Sequence, residues 1–316
     1  MSESLINSHV GDSRTVVVLG ATGQQGGAVV AALLADGWTV RAVVRDPTSD
    51  RARALAAAGV ETVHARLDDA VALRAAFAGA HGVFSVQPSS GQPGTGLTDD
   101  DEVRYGTTVA DAARDSGVAH LVYSSMIAAG PTPTGVAHFD VKSRIEAHLA
   151  GLDLASTVVR PATFMELLLT PGGGLDRGTL TFLMRPDQEM QLIAVRDIGR
   201  VVAAVFAAPG RYTGRTLEIA GDALTGNDVA GHLTRELGRP IAYGCLPQTA
   251  LDQDDVLART VALVDDGRLA GKADLTALRA EFPFLLRFDR WLTGPGAHLL
   301  DAVRPSPADH NRTEGM

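Results

Sequence analysis

The chain has 316 residues, 45% of them hydrophobic, and a formal net charge of −9 from 28 Lys and Arg against 37 Asp and Glu. That length and apolar content suit one large domain or two small ones, and the acidic balance, with no basic stripe, argues against direct nucleic-acid binding through the phosphate backbone. The single cysteine, Cys245, excludes an intramolecular disulfide, and the histidines show no HxxxH or HExxH spacing, so no metal site is expected.

Residues 1–13 are polar and read as a flexible tail with no signal-peptide core, and no apolar run reaches transmembrane length. The expectation is a cytoplasmic protein without membrane contact. Residues 15–19 then form an apolar, β-branched run that suits a strand buried on both faces. Glycines follow at 20, 23 and 26, and residues 28–35 are Ala, Val and Leu, which suit a helix packed on a sheet. Strand, glycine turn and helix in that order make the context in which a glycine motif signals a dinucleotide. Gly20 lets the chain turn sharply, Gly23 leaves room for a pyrophosphate against the backbone, and Gly26 allows the helix to pack on the strand. The helix N-terminus offers N–H groups and partial positive charge to phosphates.

A second strand, 38–44, ends in Arg45, Asp46 and Pro47, where a Rossmann fold meets the adenosine ribose. An acid there suits NAD and an arginine suits the extra phosphate of NADP. Arg45 is nearer the strand tip, with Arg51 able to assist, so NADP is expected and NAD remains open. A third strand over 61–65 leads to Asp68 and Asp69, which either border the adenine or cap the next helix, 71–77. A fourth strand, 82–86, runs into the Gly- and Pro-rich loop 87–96, placed over the cofactor crevice. After a helix over 101–116, a fifth strand, 120–125, ends in Ser124 and Ser125, which either orient a substrate oxygen or hydrogen-bond locally.

The helix expected over 137–150 places His138, Lys142, Ile145 and Leu149 on one face. A lysine beside Ile and Leu is costly without a partner. A ribose hydroxyl of a bound nucleotide, or a serine, is the expected partner; snorkelling to solvent is the alternative. A sixth strand, 154–159, ends at Arg160 and Pro161. Segments 179–183 and 190–195 suit a hairpin or short strands, 196–206 an amphipathic helix, 216–220 a seventh strand, and 241–300 mainly helix. The alternation through about residue 160 predicts an α/β fold: a doubly wound parallel sheet of Rossmann type with a smaller C-terminal substrate-side lobe. The divisions are an NAD(P)-binding domain over 14–160 with its sheet completed by about 190–222, a lobe over 161–300, and a flexible tail over 301–316.

The runs VVLGATGQQGG at 17–27, VRAVVRDP at 40–47, YSS at 123–125, HFDVK at 138–142 and RPATF at 160–164 together resemble the NmrA-like family, atypical short-chain dehydrogenase/reductases, over about residues 14–300. The resemblance implies NAD(P) binding with NADP preferred. By position, Gly20, Thr22, Gly23, Gln25 and Gly26 would meet the pyrophosphate and Arg45 the ribose phosphate. Gln87 and Pro88 would line the crevice, Lys142 would meet the nicotinamide ribose, and Pro161, Thr163 and Phe164 the nicotinamide end. Two departures stand out. The Tyr-x-x-x-Lys pair of short-chain dehydrogenases reads His138-x-x-x-Lys142, and Arg66 stands where relatives commonly have Asp.

Reducing a simple ketone needs a positioned acid. Reducing a quinone does not, because its phenolate product is stabilised. The expected function is therefore an NADPH-dependent oxidoreductase acting on a quinone or conjugated carbonyl, with His138, Lys142 and Ser125 as the candidate catalytic side chains. The alternative is a non-catalytic NAD(P) redox sensor that regulates a protein partner. A small-molecule substrate is expected, and either a monomer or a homodimer is compatible.

Overall fold

The computed structural model describes residues 14–304 apart from Pro93, Thr95, Pro171 and Gly172, so the tails expected at 1–13 and beyond 304 lie outside the described residues. Six strands come first: β1 (Thr15–Val18), β2 (Thr39–Val44), β3 (Glu61–His64), β4 (Gly82–Ser85), β5 (His120–Ser124) and β6 (Ser156–Pro161). The helices between them are α1 (Gln24–Ala35), α2 (Asp50–Ala57), α3 (Ala70–Phe77), α4 (Asp99–Asp115) and α5 (Ala137–Ala150). Then follow β7 (Thr163–Phe164), β8 (Thr179–Phe182), β9 (Glu189–Ile193), α6 (Val195–Ala207), α7 (Pro209–Tyr212), β10 (Thr216–Ile219), β11 (Asp222–Thr225), α8 (Gly226–Leu237) and β12 (Ala242–Cys245).

The main sheet has seven parallel strands in the order β10-β6-β5-β4-β1-β2-β3. This is the doubly wound α/β fold expected from the sequence. The strand order reverses between β1 and β4, and ligands in such sheets bind outside the strand C-termini at that reversal. Two apolar layers sandwich the sheet. One joins Val16, Val18 and Phe84 to α1 and α6 through Val29, Leu33, Ile198 and Val202; the other joins Val17, Val83 and Tyr123 to α3, α4 and α5 through Leu73, Val109 and Ile145.

Where the sequence left a hairpin or short strands open, the structure takes short strands, and three other expectations change. Segments 179–183 and 190–195 are strands but not a hairpin. β8 pairs in parallel with β12, while β9 lies between β7 and β11 in a separate three-stranded sheet. The partners of both strands come from elsewhere in the chain, which local pattern does not reveal. Of the stretch expected to complete the main sheet, only β10 joins it. Ala242–Cys245, expected as helix, is strand β12, and the last helix, Ala297–Ala302, runs into the stretch expected as tail.

Carboxylates tie the C-terminal segment to this body. Asp197 in the first turn of α6 is fully buried and accepts the Leu286 N–H at 2.7 Å, and Asp222 accepts the Phe288 N–H at 3.0 Å. Burial pushes the Asp197 carboxyl up to about 6, against weaker pulls from its Leu286 hydrogen bond and from Arg200 and Arg196. The raised value means that the folded state prefers the protonated acid. Its favourable contribution is full below about pH 4 and is lost as pH rises through about 6, a change of about 2 kcal/mol between pH 4 and 7. Asp197→Asn keeps an acceptor for Leu286 and removes the titration. The difference in melting temperature, variant minus wild type, should therefore grow between pH 4.5 and 7.5. A difference that does not vary with pH would show that Asp197 does not titrate there.

Candidate active site

The glycine turn sits at the strand-order reversal. Gly20 leaves β1 with φ +64°, and a Cβ there would lie 2.7 Å from Val86 Cγ1 at the end of β4. The Gly23 N–H returns to the Gly20 carbonyl at 2.8 Å, closing the turn. A Cβ on Gly26 would lie 2.2 Å from the Gly20 oxygen and 2.7 Å from the Ala21 nitrogen. Gly26 is thus required by contact with the turn itself, rather than with the strand as the sequence suggested. α1 then begins at Gln24 with no side-chain cap and no acid in its first turn, so its N–H groups and dipole remain open to an anion. Thr22 is half-buried beside it. The Gln25 amide oxygen accepts the Ser124 hydroxyl at 2.6 Å, joining the turn to the end of β5.

Arg45 is exposed at the tip of β2. Asp46, its rival for the ribose, accepts the Thr48 N–H at 2.8 Å and hydroxyl at 2.6 Å, and those bonds hold its carboxyl below its usual pKa. Asp46 therefore serves its own turn. Arg51 donates to the Thr22 carbonyl at 3.1 Å, which brings a second guanidinium to the glycine turn. Asp69 caps α3 through the Val71 and Ala72 N–H groups. Arg66 lies on Asp68 through two bonds of 2.9 and 3.0 Å, and that pairing holds Asp68 down at about 2.

Gln87 is buried after β4. Its Nε2 donates to Ser85 Oγ at 2.8 Å, which turns Oε1 the other way, and that oxygen has no hydrogen-bond partner in the protein. A buried acceptor left open in a crevice fits a ligand N–H or O–H. Pro88 is half-buried next to it. A turn that a Cβ would fill and this orphaned acceptor both suit a bound dinucleotide.

The family-level comparison agrees with this geometry. The model of the NmrA-like family matches residues 12–266. The chain belongs to the NmrA-like family. It is 33% identical over 233 residues to the NmrA-like family domain-containing oxidoreductase FrzB of Cladobotryum sp, covering 64% of this chain and 67% of that protein. It is 30% identical over 230 residues to the NAD(P)H azoreductase of Xenophilus azovorans, covering 72% and 76%. The NADPH-dependent quinone oxidoreductase QOR2 of Escherichia coli, solved with NADPH, superposes with a TM-score of 0.73 at 26% identity over 88% of this chain and 98% of that one.

In this NmrA-like chain, α5 presents the face read from the sequence: Lys142, Ile145 and Leu149 are buried and His138 is half-buried. The prediction that Lys142 needs a partner holds. The partner is the Glu102 carboxylate on α4, not a serine or a snorkelling path. Glu102 is fully buried and was missed in the sequence, where it reads as one more acid in a helix N-terminal turn. One turn beyond Lys142, Glu146 accepts the Ser125 hydroxyl and pairs with Arg160 of β6, its Oε1 lying 3.0 Å from Arg160 Nε. Ser125 therefore faces α5, whereas Ser124 faces Gln25.

The His138 ring packs under Gly91, where a Cβ would lie 2.6 Å from it, and stands edge-to-face with Phe139, the ring centroids 4.4 Å apart. Burial lowers its pKa despite the opposing charges of Asp99 and Glu102. A neutral imidazole at pH 7 is a poor acid, which works against His138 as a proton donor. Pro161 is buried, the Thr163 hydroxyl lies 3.8 Å from Met190 Sδ, and Phe164 is half-buried at the start of the lobe's sheet.

Ala128, beyond the end of β5, adopts φ +70°, the one positive φ at a non-glycine among the described residues. Holding it there costs about 1–2 kcal/mol, a strain of the kind stored near functional sites. Nothing in the sequence marks it. A groove of about 560 Å³ lies away from the glycine turn, between α5 and the β6–β10 edge beside Glu146 and Arg160. No helix among the described residues is long and apolar enough to cross a membrane, and no cluster among them could hold a metal.

Proposed function

We propose that this NmrA-like protein is an NADPH-dependent oxidoreductase that transfers hydride to a quinone or another conjugated carbonyl. The observation that carries this reading is the uncapped glycine turn at the strand-order reversal, beside which Gln87 Oε1 stands open while Lys142, Ser124 and Ser125 are bound to protein partners. Gly20, Thr22, Gly23, Gln25 and Gly26 take the pyrophosphate on the α1 N-terminus. Arg45, supported by Arg51, holds the 2′-phosphate. Gln87 Oε1 accepts a donor from the ligand, with Pro88 as the adjoining wall. Lys142 meets the nicotinamide ribose, and Pro161, Thr163 and Phe164 border the nicotinamide.

The reduced nicotinamide supplies the hydride. The chain's own part is to hold donor and acceptor together and to exclude water. With Lys142 on Glu102, Ser125 on Glu146, Ser124 on Gln25 and His138 biased to its neutral form, no side chain is poised to protonate a simple alkoxide. A quinone accepts hydride and takes its proton from solvent. The relatives named NAD(P)H azoreductase and NADPH-dependent quinone oxidoreductase support an acceptor of this kind.

Steady-state NADPH oxidation with a panel of quinones and enones tests the assignment, and acceptor-dependent loss of nicotinamide absorbance is expected. Tight NADPH binding with no oxidation by any acceptor would replace it with the redox-sensor reading. For the cofactor, Arg45→Ala should weaken NADPH binding about tenfold or more, the cost of a lost charged hydrogen bond, and leave NADH binding unchanged. Equal loss for both in calorimetric titration would remove Arg45 from the phosphate.

A further inference from the structure

The acids that open α4 divide their work. Asp101 closes the capping box with Thr98, Asp100 lies 3.1 Å from Arg144, and Asp99 accepts the Ser90 hydroxyl at 2.6 Å. Glu102 alone of the four is buried. Its Oε1 meets Lys142 Nζ and its Oε2 accepts the Ser90 N–H at 2.7 Å. One turn further on, Gly106 lets α5 approach closely, since a Cβ there would lie 2.6 Å from Ile145 Cδ1. That approach brings Glu102 and Lys142 within reach of each other. The Tyr123 hydroxyl is buried in the same layer and has no hydrogen-bond partner, so it does not share the carboxylate. On the crevice side, Gly91 rests on the His138 ring.

We infer that Glu102 is a positioning residue, which aims the Lys142 ammonium at the crevice and at the same time seats loop residues Ser90 and Gly91 on the start of α5. This rests on the nucleotide reading above and deepens it. One carboxylate, with one oxygen on each side, links the wall of the crevice to the lysine that meets the ribose. A neutral side chain at 102 leaves Lys142 buried without its counter-charge, and the ammonium turns away from the crevice toward water. Glu102→Gln/Lys142→Met removes both charges together, so no ammonium is left buried without its counter-charge, and it still lacks the aimed ammonium.

The test compares wild type, Glu102→Gln and the double variant Glu102→Gln/Lys142→Met by thermal melting and by NADPH titration. Glu102→Gln should melt lower and bind NADPH about tenfold or more weakly. The double variant should recover the melting temperature without recovering the affinity. Recovery of both would show a merely structural pair and overturn the inference, as would unchanged affinity in Glu102→Gln. Amide exchange in the unliganded protein reads the loop independently. The peptide over 87–91 should exchange faster in Glu102→Ala than in wild type, and unchanged exchange would overturn the seating of Ser90. Wild type that fails to bind NADPH would instead defeat the nucleotide reading, with the exchange result still deciding the role of Glu102 in the loop.

Discussion

Gly26→Ala is expected to abolish measurable NADPH binding. The added Cβ would lie 2.2 Å from the Gly20 oxygen and 2.4 Å from the Gly20 carbonyl carbon. Both are backbone atoms of the turn proposed to carry the pyrophosphate, so no side chain can swing aside. Either the turn opens or α1 tilts away, and both outcomes pull the helix N-terminus off the anion. Loss of several N–H contacts to a pyrophosphate, each a charged hydrogen bond, corresponds to an affinity loss of about a hundredfold or more. Gly37 is the control. Its φ is +78° with nothing within 4 Å of a Cβ, so Gly37→Ala should cost only the backbone strain of about 1–2 kcal/mol and leave the affinity intact. Folded Gly26→Ala with wild-type affinity, by circular dichroism and calorimetry, would remove the glycine turn from the cofactor.

The second large effect lies out of the crevice. Gly199→Ala should destabilise the whole domain. α6 crosses α1 at this residue, and a Cβ would lie 2.2 Å from the Ala28 oxygen and 2.9 Å from the Val29 nitrogen. Alanine gains about 1 kcal/mol of helix propensity over glycine, which opposes the effect but is smaller than the cost of forcing two backbones apart. Separation also opens the layer where Ile198 and Val202 meet Val29 and Leu33. The net loss should be about 2 kcal/mol or more, lowering the melting temperature by roughly 3 °C or more for a chain of this size. α1 is also the cradle helix, so the variant should bind NADPH less tightly as well. An unchanged melting temperature would mean that the two helices are not packed as closely as this.

Much of this was legible in the chain itself. A strand, three glycines at fixed spacing and an apolar helix are local signals, and each carries its reason in backbone geometry. The parallel sheet followed from alternation, and the buried face of α5 from the spacing of His138, Lys142, Ile145 and Leu149. What was not legible depends on residues far apart in sequence. Lys142 announces that it needs a partner, but nothing local says that the partner is Glu102, because three other acids share that helix turn. Gly199 reads as a weak helix residue until Ala28 is placed against it. β8 and β12 are separated by three strands and three helices, and Ala-Tyr-Gly-Cys at 242–245 has no strand alternation to betray it. Gly26 was recognised as necessary, but the atom that makes it so belongs to Gly20, since the turn folds back on itself. Asp46 and Arg45 stood as rivals in sequence, and only the turn at Thr48 separates them.

Hydride transfer from an NADPH cradle, as proposed, proceeds without a positioned protein acid. The most direct measurement compares, at equal concentration and with NADPH saturating, the oxidation rate given by a benzoquinone with that given by a saturated ketone of similar size. Turnover with the quinone and none above background with the ketone is the expected result. Reduction of the ketone at a comparable rate would contradict it by requiring a proton donor that the crevice does not show, and NADPH bound but oxidised by neither would contradict it by removing the hydride transfer itself.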